Sequence, residues 1–198
     1  MSRTQRIILG IDPGLAHTGW GVVSQDGPRL ACVAYGCVTT SAADALSQRL
    51  LKVHDQIGAV VRRFRPTCVG IETVWFGTNV TAAFGTGQAR GAALVACAEG
   101  GLEVGEFSPS QIKLAIVGTG AAEKEQVQYM VGQLLRLPEP PSPDHAADAL
   151  AAAICYSTHE GFARAAARYD QAVAAAVAAD DAGRRQAAAL REREEARS

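Results

Sequence analysis

The sequence predicts an α/β fold, a single domain with a mixed five-stranded β-sheet flanked by α-helices. Three observations carry this. The 198 residues are 48% hydrophobic, enough for one packed core of ordinary size. The first apolar segments are short and separated by turn signals, as strands are, whereas from residue 43 onward helical periodicity alternates with short apolar runs. Three strands followed by alternating helix and strand give a sheet that is mixed and not purely parallel.

Arg6 to Ile11 is a near-continuous β-branched run closed by Asp12-Pro13-Gly14, which reads as a central strand stopped at a turn. Trp20 to Ser24 and Leu30 to Thr39 are two further strands with the hairpin signal Asp26-Gly27 between them, so the first three form an antiparallel meander. From Ala43 to Phe64 the residues Leu46, Leu50, Val53, Ile57, Val60, Val61 and Phe64 recur at helical spacing, and Pro66 supplies the stop. Cys68 to Ile71 is a short strand ending at Glu72, Thr81 to Glu99 an Ala-rich helix closed by Gly100-Gly101, and Leu102 to Phe107 the fifth strand. Pro109 to Val117 and Ala121 to Leu137 are helices separated by Gly118-Thr119-Gly120. The proline-rich run 138–143 is a rigid connection, after which a last helix starts near Pro143, with Ser142 as its cap, and continues to about Thr158.

Residues 1–160 are expected to form the globular domain. In residues 161–198, by contrast, 15 of 38 are alanine and the rest largely charged, which predicts a frayed helix or a disordered extension. No apolar run approaches the roughly 20 residues that span a bilayer, and the first residues lack the features of a signal peptide, so a cytoplasmic protein without a membrane partner is expected. Five cysteines without a C-x-x-C pair suggest reduced, mostly buried thiols. The net charge of -1 speaks against broad electrostatic attraction to nucleic acid.

Asp12 and Glu72 each end a strand, where ligands bind in open α/β sheets. On the last helix His145 and Asp148 are three apart and project from one face. Together the four would form a cluster of hard oxygen ligands with one imidazole. Crowded acids repel in a partly dry site unless a cation neutralises them, and carboxylate-rich sites suit Mg²⁺ or Mn²⁺, the imidazole favouring Mn²⁺. Two such ions about 3.5 to 4 Å apart serve phosphodiester hydrolysis. Spacing alone leaves the ordinary reading open: an acid at a strand end can be a solvated turn residue, and His145 with Asp148 the exposed stripe of an Ala-rich helix.

Five ordered blocks, ILGIDPGLAHTGWGVV (8–23), GIETVWFGTN (70–79), GQARG (87–91), SPSQIKLAIVGTGAAEKEQVQYMV (108–131) and DHAADALAAAICY (144–156), closely resemble the RuvC family of Holliday-junction resolvases. The resemblance implies an RNase H-like fold and a homodimer that cleaves two opposed strands of four-way junction DNA with two Mg²⁺ or Mn²⁺ ions per active site, in concert with the RuvA and RuvB branch-migration complex. By position it implies that Asp12, Glu72, His145 and Asp148 are the catalytic metal ligands. Many members carry aspartate where His145 stands, which touches metal preference more than activity. Asp144 is offset by one residue and is not counted a ligand.

Trp75 and Phe76 follow Glu72 closely; an aromatic there can stack on an unpaired base, the role that the resemblance gives Trp75, or pack on the sheet, the more ordinary place for Phe76. Lys113 and Lys124 match lysines of the family's blocks and are candidates to hold a phosphate. Arg90 is a candidate to touch DNA or to cross the dimer interface. His17 reads as a turn histidine. Residues 1–160 hold 12 Lys+Arg against 14 Asp+Glu, so affinity for DNA would rest on local clustering and on bound metal. Three rival readings are a nucleotide-binding ATPase of the actin type, a YqgF-type nuclease acting on RNA, and a junction-binding protein without catalysis. A duplicated chain with a second D-P-G would mark the first, and the acids at every matching position count against the last.

Overall fold

A computed structural model describes residues 5–74 and 80–159. The chain divides into two compact units, Met1–Thr158 and His159–Ser198, and the sheet with its helices builds the first. Strands β1 (Arg6–Asp12), β2 (His17–Asp26), β3 (Arg29–Thr39), β4 (Cys68–Glu72) and β5 (Glu103–Phe107) form one sheet in the order β3-β2-β1-β4-β5. The β1–β2 and β2–β3 pairs are antiparallel, whereas β1–β4 and β4–β5 are parallel. The sheet is therefore mixed, as the element order predicts. Gly27 takes φ 60° at the first of two loop positions between β2 and β3, where the twist of a hairpin asks for a left-handed residue.

Helices α1 (Leu46–Phe64), α2 (Val80–Glu99), α3 (Pro109–Val117), α4 (Lys124–Leu135) and α5 (residues 144–159) cover both faces. Alternation along the strands decides which face each side chain joins. Ile8 and Cys68 pack with Ile112, Ile116, Val127, Val131 and Leu150 of α3, α4 and α5. Leu9, Ile11, Val69 and Ile71 point the other way, onto Val53, Ile57 and Val61 of α1 and Ala93 and Cys97 of α2. Burial on both faces is why β1 and β4 read as unbroken apolar runs.

Several boundaries differ from expectation: β2 runs from His17 to Asp26 and not only from Trp20 to Ser24, and α4 ends at Leu135 and not Leu137. The first helix starts at Leu46 and not Ala43, because Ser41 captures its own neighbours: its hydroxyl accepts from the Ala43 amide and its carbonyl from that of Asp44. The fourth begins at Lys124 and not Ala121, after an extended Glu123. At the start of α5 the Pro143 carbonyl accepts from the Ala146 and Ala147 amides, so Pro143 caps the helix in place of Ser142. By contrast, α3 starts where predicted, in a capping box between Ser108 and Gln111 with proline in its first turn. The expected tail, 161–198, lies outside the described residues.

What places α5 is a row of glycines. The strand registers set Gly21, Gly10, Gly70 and Gly105 side by side across β2, β1, β4 and β5. A Cβ on Gly10 would lie 1.8 Å from the Ala149 carbonyl oxygen, and one on Gly70 2.4 Å from that of Ala152. The backbone of α5 thus rests directly on that of the sheet, and Ala146, Ala149, Ala152 and Ala153 are fully buried there. Gly10→Ala is expected to cost more than about 3 kcal/mol or to prevent folding, since the obstacle is backbone and cannot swing aside. Gly58→Ala in α1, whose Cβ would meet only the mobile end of Arg62, should be neutral or stabilising by up to about 1 kcal/mol. Denaturant unfolding of the two variants checks the contrast.

Candidate metal centre

Asp12 and Glu72 are the last residues of β1 and β4. The parallel register pairs Ile11 with Ile71, so the two acids emerge side by side at one edge, on the face that α5 covers. From α5, His145 and Asp148 reach the same place. The His145 Nδ1 lies 2.7 Å from Asp12 Oδ2, and single donor atoms of Asp12, His145 and Asp148 all fall within 4.8 Å of one another. The Glu72 carboxylate stands outside this trio but inside its field.

The electrostatics follow from crowding. Burial, then the charges of Asp12 and Asp148, push Glu72 up to about 7. Asp148 is likewise raised, by burial and by Asp12, although Lys124 lies 3.4 Å away. The hydrogen bond to Asp12 holds the His145 imidazole above its usual range. A glutamate that holds its proton near neutrality, beside an aspartate raised in the same direction and an imidazole, makes a site that a divalent cation would relieve. Oxygen donors with one nitrogen fit Mg²⁺ or Mn²⁺ chemistry.

Around this trio the predicted residues fall into different positions. Lys113 and Lys124 line a cleft of about 230 Å³ with Glu72 and Asp148. Lys124 bridges Asp148 and Asp144, the latter at 3.2 Å; burial opposes its charge, yet the two carboxylates hold the ammonium above its ordinary range. Asp144 is thus a partner of that lysine, on the rim. Arg90, only 17% exposed, donates from Nε to the Glu72 carbonyl and pairs with Glu106, which ties the end of β4 to β5 and α2. Trp75 and Phe76 lie outside the described residues. His17 at the start of β2 stacks on the His145 ring, 5.4 Å between centroids, a neighbour that the sequence does not reveal because His17 reads there as a turn residue. None of the five cysteines is in a disulfide; Cys68, Cys97 and Cys155 are buried, and burial pushes the last two thiols up to about 12.

Comparison with known proteins gives consistent matches. The family model described as crossover junction endodeoxyribonuclease RuvC matches residues 8–156. A protein of that name from Heliobacterium modesticaldum is 50% identical over 149 residues, 75% of this chain and 92% of its own length. Another, from Treponema denticola, is 48% identical over 147 residues, 74% of this chain and 83% of its own. The solved structure of Thermus thermophilus RuvC superposes with a TM-score of 0.75 at 37% identity, covering 79% of this chain and 96% of that one. The same protein in complex with a Holliday-junction substrate gives 0.74, with 78% and 94% covered. The fold is RNase H-like.

The raised Glu72 carboxyl has a measurable cost. Between its ordinary 4.5 and about 7 the folded protein binds a proton that the unfolded chain releases, so this group lowers stability as pH rises through that interval and keeps it lowered above 7. Glu72→Gln should therefore stabilise the metal-free protein at pH 8 by on the order of 1 to 3 kcal/mol while weakening Mn²⁺ binding. Melting curves in chelator and titration calorimetry with Mn²⁺ read the two effects; a lower melting temperature at pH 8 would contradict the assignment. With His145 and Glu72 as ligands, a cation would displace a proton from each, so Mn²⁺ affinity is expected to fall as pH drops below about 7.

Proposed function

The chain belongs to the RuvC family of crossover junction endodeoxyribonucleases, and on that premise we propose that it resolves Holliday junctions by hydrolysing phosphodiester bonds in two opposed strands. The products are ends with 5′-phosphates that can be ligated, formed during DNA recombination and repair. The observation that carries this reading is the Asp12–His145–Asp148 trio beside Glu72 at the edge of the two parallel strands.

Catalysis rests on Asp12, Glu72, His145 and Asp148, which would hold two Mg²⁺ or Mn²⁺ ions. Held by these residues, such ions would supply Lewis acidity toward water and positive charge toward the phosphate. Asp12 orients the imidazole through Nδ1, so the ring is set before any ligand arrives. Lys113 and Lys124 face the same cleft and would neutralise a phosphate drawn into it, Lys124 exchanging its bond to Asp144 for one to DNA. Trp75 and Phe76 would stack on bases unpaired at the junction centre. Through its hold on the Glu72 carbonyl, Arg90 would contribute to DNA binding indirectly, by keeping the acid in place.

Cutting two symmetry-related strands asks for two sites on a two-fold axis. A homodimer is supported by the outer face of α2, where Val80 and Phe84 are 66% and 65% exposed and Gly91 and Val95 continue the stripe at helical spacing. Residues 1–160 would be the nuclease domain and 161–198 an appended tail. Among the described residues no helix is long and apolar enough to cross a membrane. The junction would be handed over by RuvA and RuvB in the cytoplasm.

Asp12→Asn should lower cleavage of a labelled four-way junction by about a thousandfold, since a principal charge-stabilising group is worth roughly 3 to 4 kcal/mol, while junction binding in a gel-shift assay is retained. Retained cutting would remove Asp12 from the mechanism. Phe84→Glu should convert the dimer into monomers in analytical ultracentrifugation and abolish paired nicking. A variant that stays dimeric would place the interface elsewhere.

A further inference from the structure

Asp12 sits between β2 on one side and β4 on the other, and a cleft opens on each side of it. The first, beside Glu72 on β4, carries Lys113 and Lys124. The second, of about 340 Å³, lies beside His17 on β2 and is lined by Gly14, Gly85, Thr86 and Arg49, with His145 as its wall toward the metal centre. The two clefts share no lining residue: Asp148 lines the first and His145 the second, while Lys124 also lines a third cleft with His17, His145 and Asp144.

Arg49 is the cation of this second cleft. Its Nε donates to Thr40 Oγ1 at 2.9 Å, and the Thr40 hydroxyl donates in turn to the Leu15 carbonyl, in the loop that follows Asp12. The guanidinium is thereby fixed to the segment that carries the first acid. Arg6, Arg90 and Lys124 all pair with carboxylates, whereas no carboxylate pairs with Arg49 among the described residues. A half-buried, oriented guanidinium without a carboxylate partner, in a cleft that also carries the hydroxyl of Thr86, suits a phosphate diester.

We propose that Arg49 binds a phosphate of the cleaved DNA strand on the opposite side of the metal centre from Lys113 and Lys124, so that the strand is gripped on both sides of the phosphate that reacts. The inference rests on the reading of the protein as a junction nuclease and adds a second contact to it. Holding both flanks fixes the line of the backbone through the site, which in-line displacement requires and a single flank does not supply. His17, stacked on His145 and lining the same cleft, forms the floor along which the strand would pass.

The test is junction binding by full-length protein in chelator, over a series of salt concentrations, with Arg49→Gln and Arg49→Lys beside the wild type. Loss of one phosphate contact should reduce the slope of log affinity against log salt by about 0.9, and weaken binding by roughly tenfold at moderate salt, in Arg49→Gln; Arg49→Lys should restore the slope. A junction carrying single neutral methylphosphonates along the cleaved strand locates the contact. One position beside the scissile phosphate should weaken wild type and leave Arg49→Gln unaffected. An unchanged slope, a lysine variant that fails to restore it, or methylphosphonate losses equal in both proteins at every position would overturn the role of Arg49 alone. Failure of the wild-type protein to prefer the junction over duplex would overturn the functional reading beneath it.

Discussion

The metal centre depends on how closely one helix can approach a sheet. Helices ordinarily ride above a sheet on intervening side chains, and long side chains are then needed to bridge the gap. In this protein four adjacent strands offer glycine at the contact; at Gly10 and Gly70 main chain meets the main chain of helix alanines, and at Gly21 and Gly105 the side chains of Leu150 and Tyr156 take the space. Short side chains such as aspartate and histidine can then reach the strand ends. Every distance within the Asp12–His145–Asp148 trio is a consequence of that seating.

The same seating sets the electrostatics. Packing one backbone on another excludes water from the inner rim of the site, and the acids placed there cannot all shed their protons without help. Glu72, buried and facing two other carboxylates, shows this most plainly. The fold thus holds a local arrangement that opposes its own stability, offset by the apolar contacts of both core clusters beneath it. Arg90 and the Arg49–Thr40–Leu15 relay secure the neighbouring backbone at the ends of β4 and β1, where repulsion would otherwise loosen it.

Much of this architecture is legible in the sequence because its signals are local. The β1 run, the α1 periodicity and the start of α3 at Pro109 each involve a few consecutive residues, and each appears where the pattern puts it. Boundaries shift where a side chain competes for main-chain partners, as Ser41 does ahead of α1. The four proposed ligands can be named from strand ends, helical spacing and family resemblance, but their spatial relation cannot: Glu72 stands apart from the other three because strand twist and side-chain length decide it. Glycine inside strands is a readable sign of close approach, at Gly10, Gly70 and Gly105 alike, and its meaning emerges only with the register. Arg49 carries no local signal at all, since it looks like any basic residue on an amphipathic helix until the cleft beside it is known.

The contribution of α5 also bears on when the protein becomes dangerous to DNA. Asp12 and Glu72 are synthesised early, but two of the proposed ligands arrive on the last element of the first unit. A chain still emerging from the ribosome, or one clipped ahead of residue 145, therefore has an incomplete set of ligands and an uncovered glycine row in place of a working site. With the proposed set of ligands, nuclease competence would wait until α5 is made and seated on the sheet.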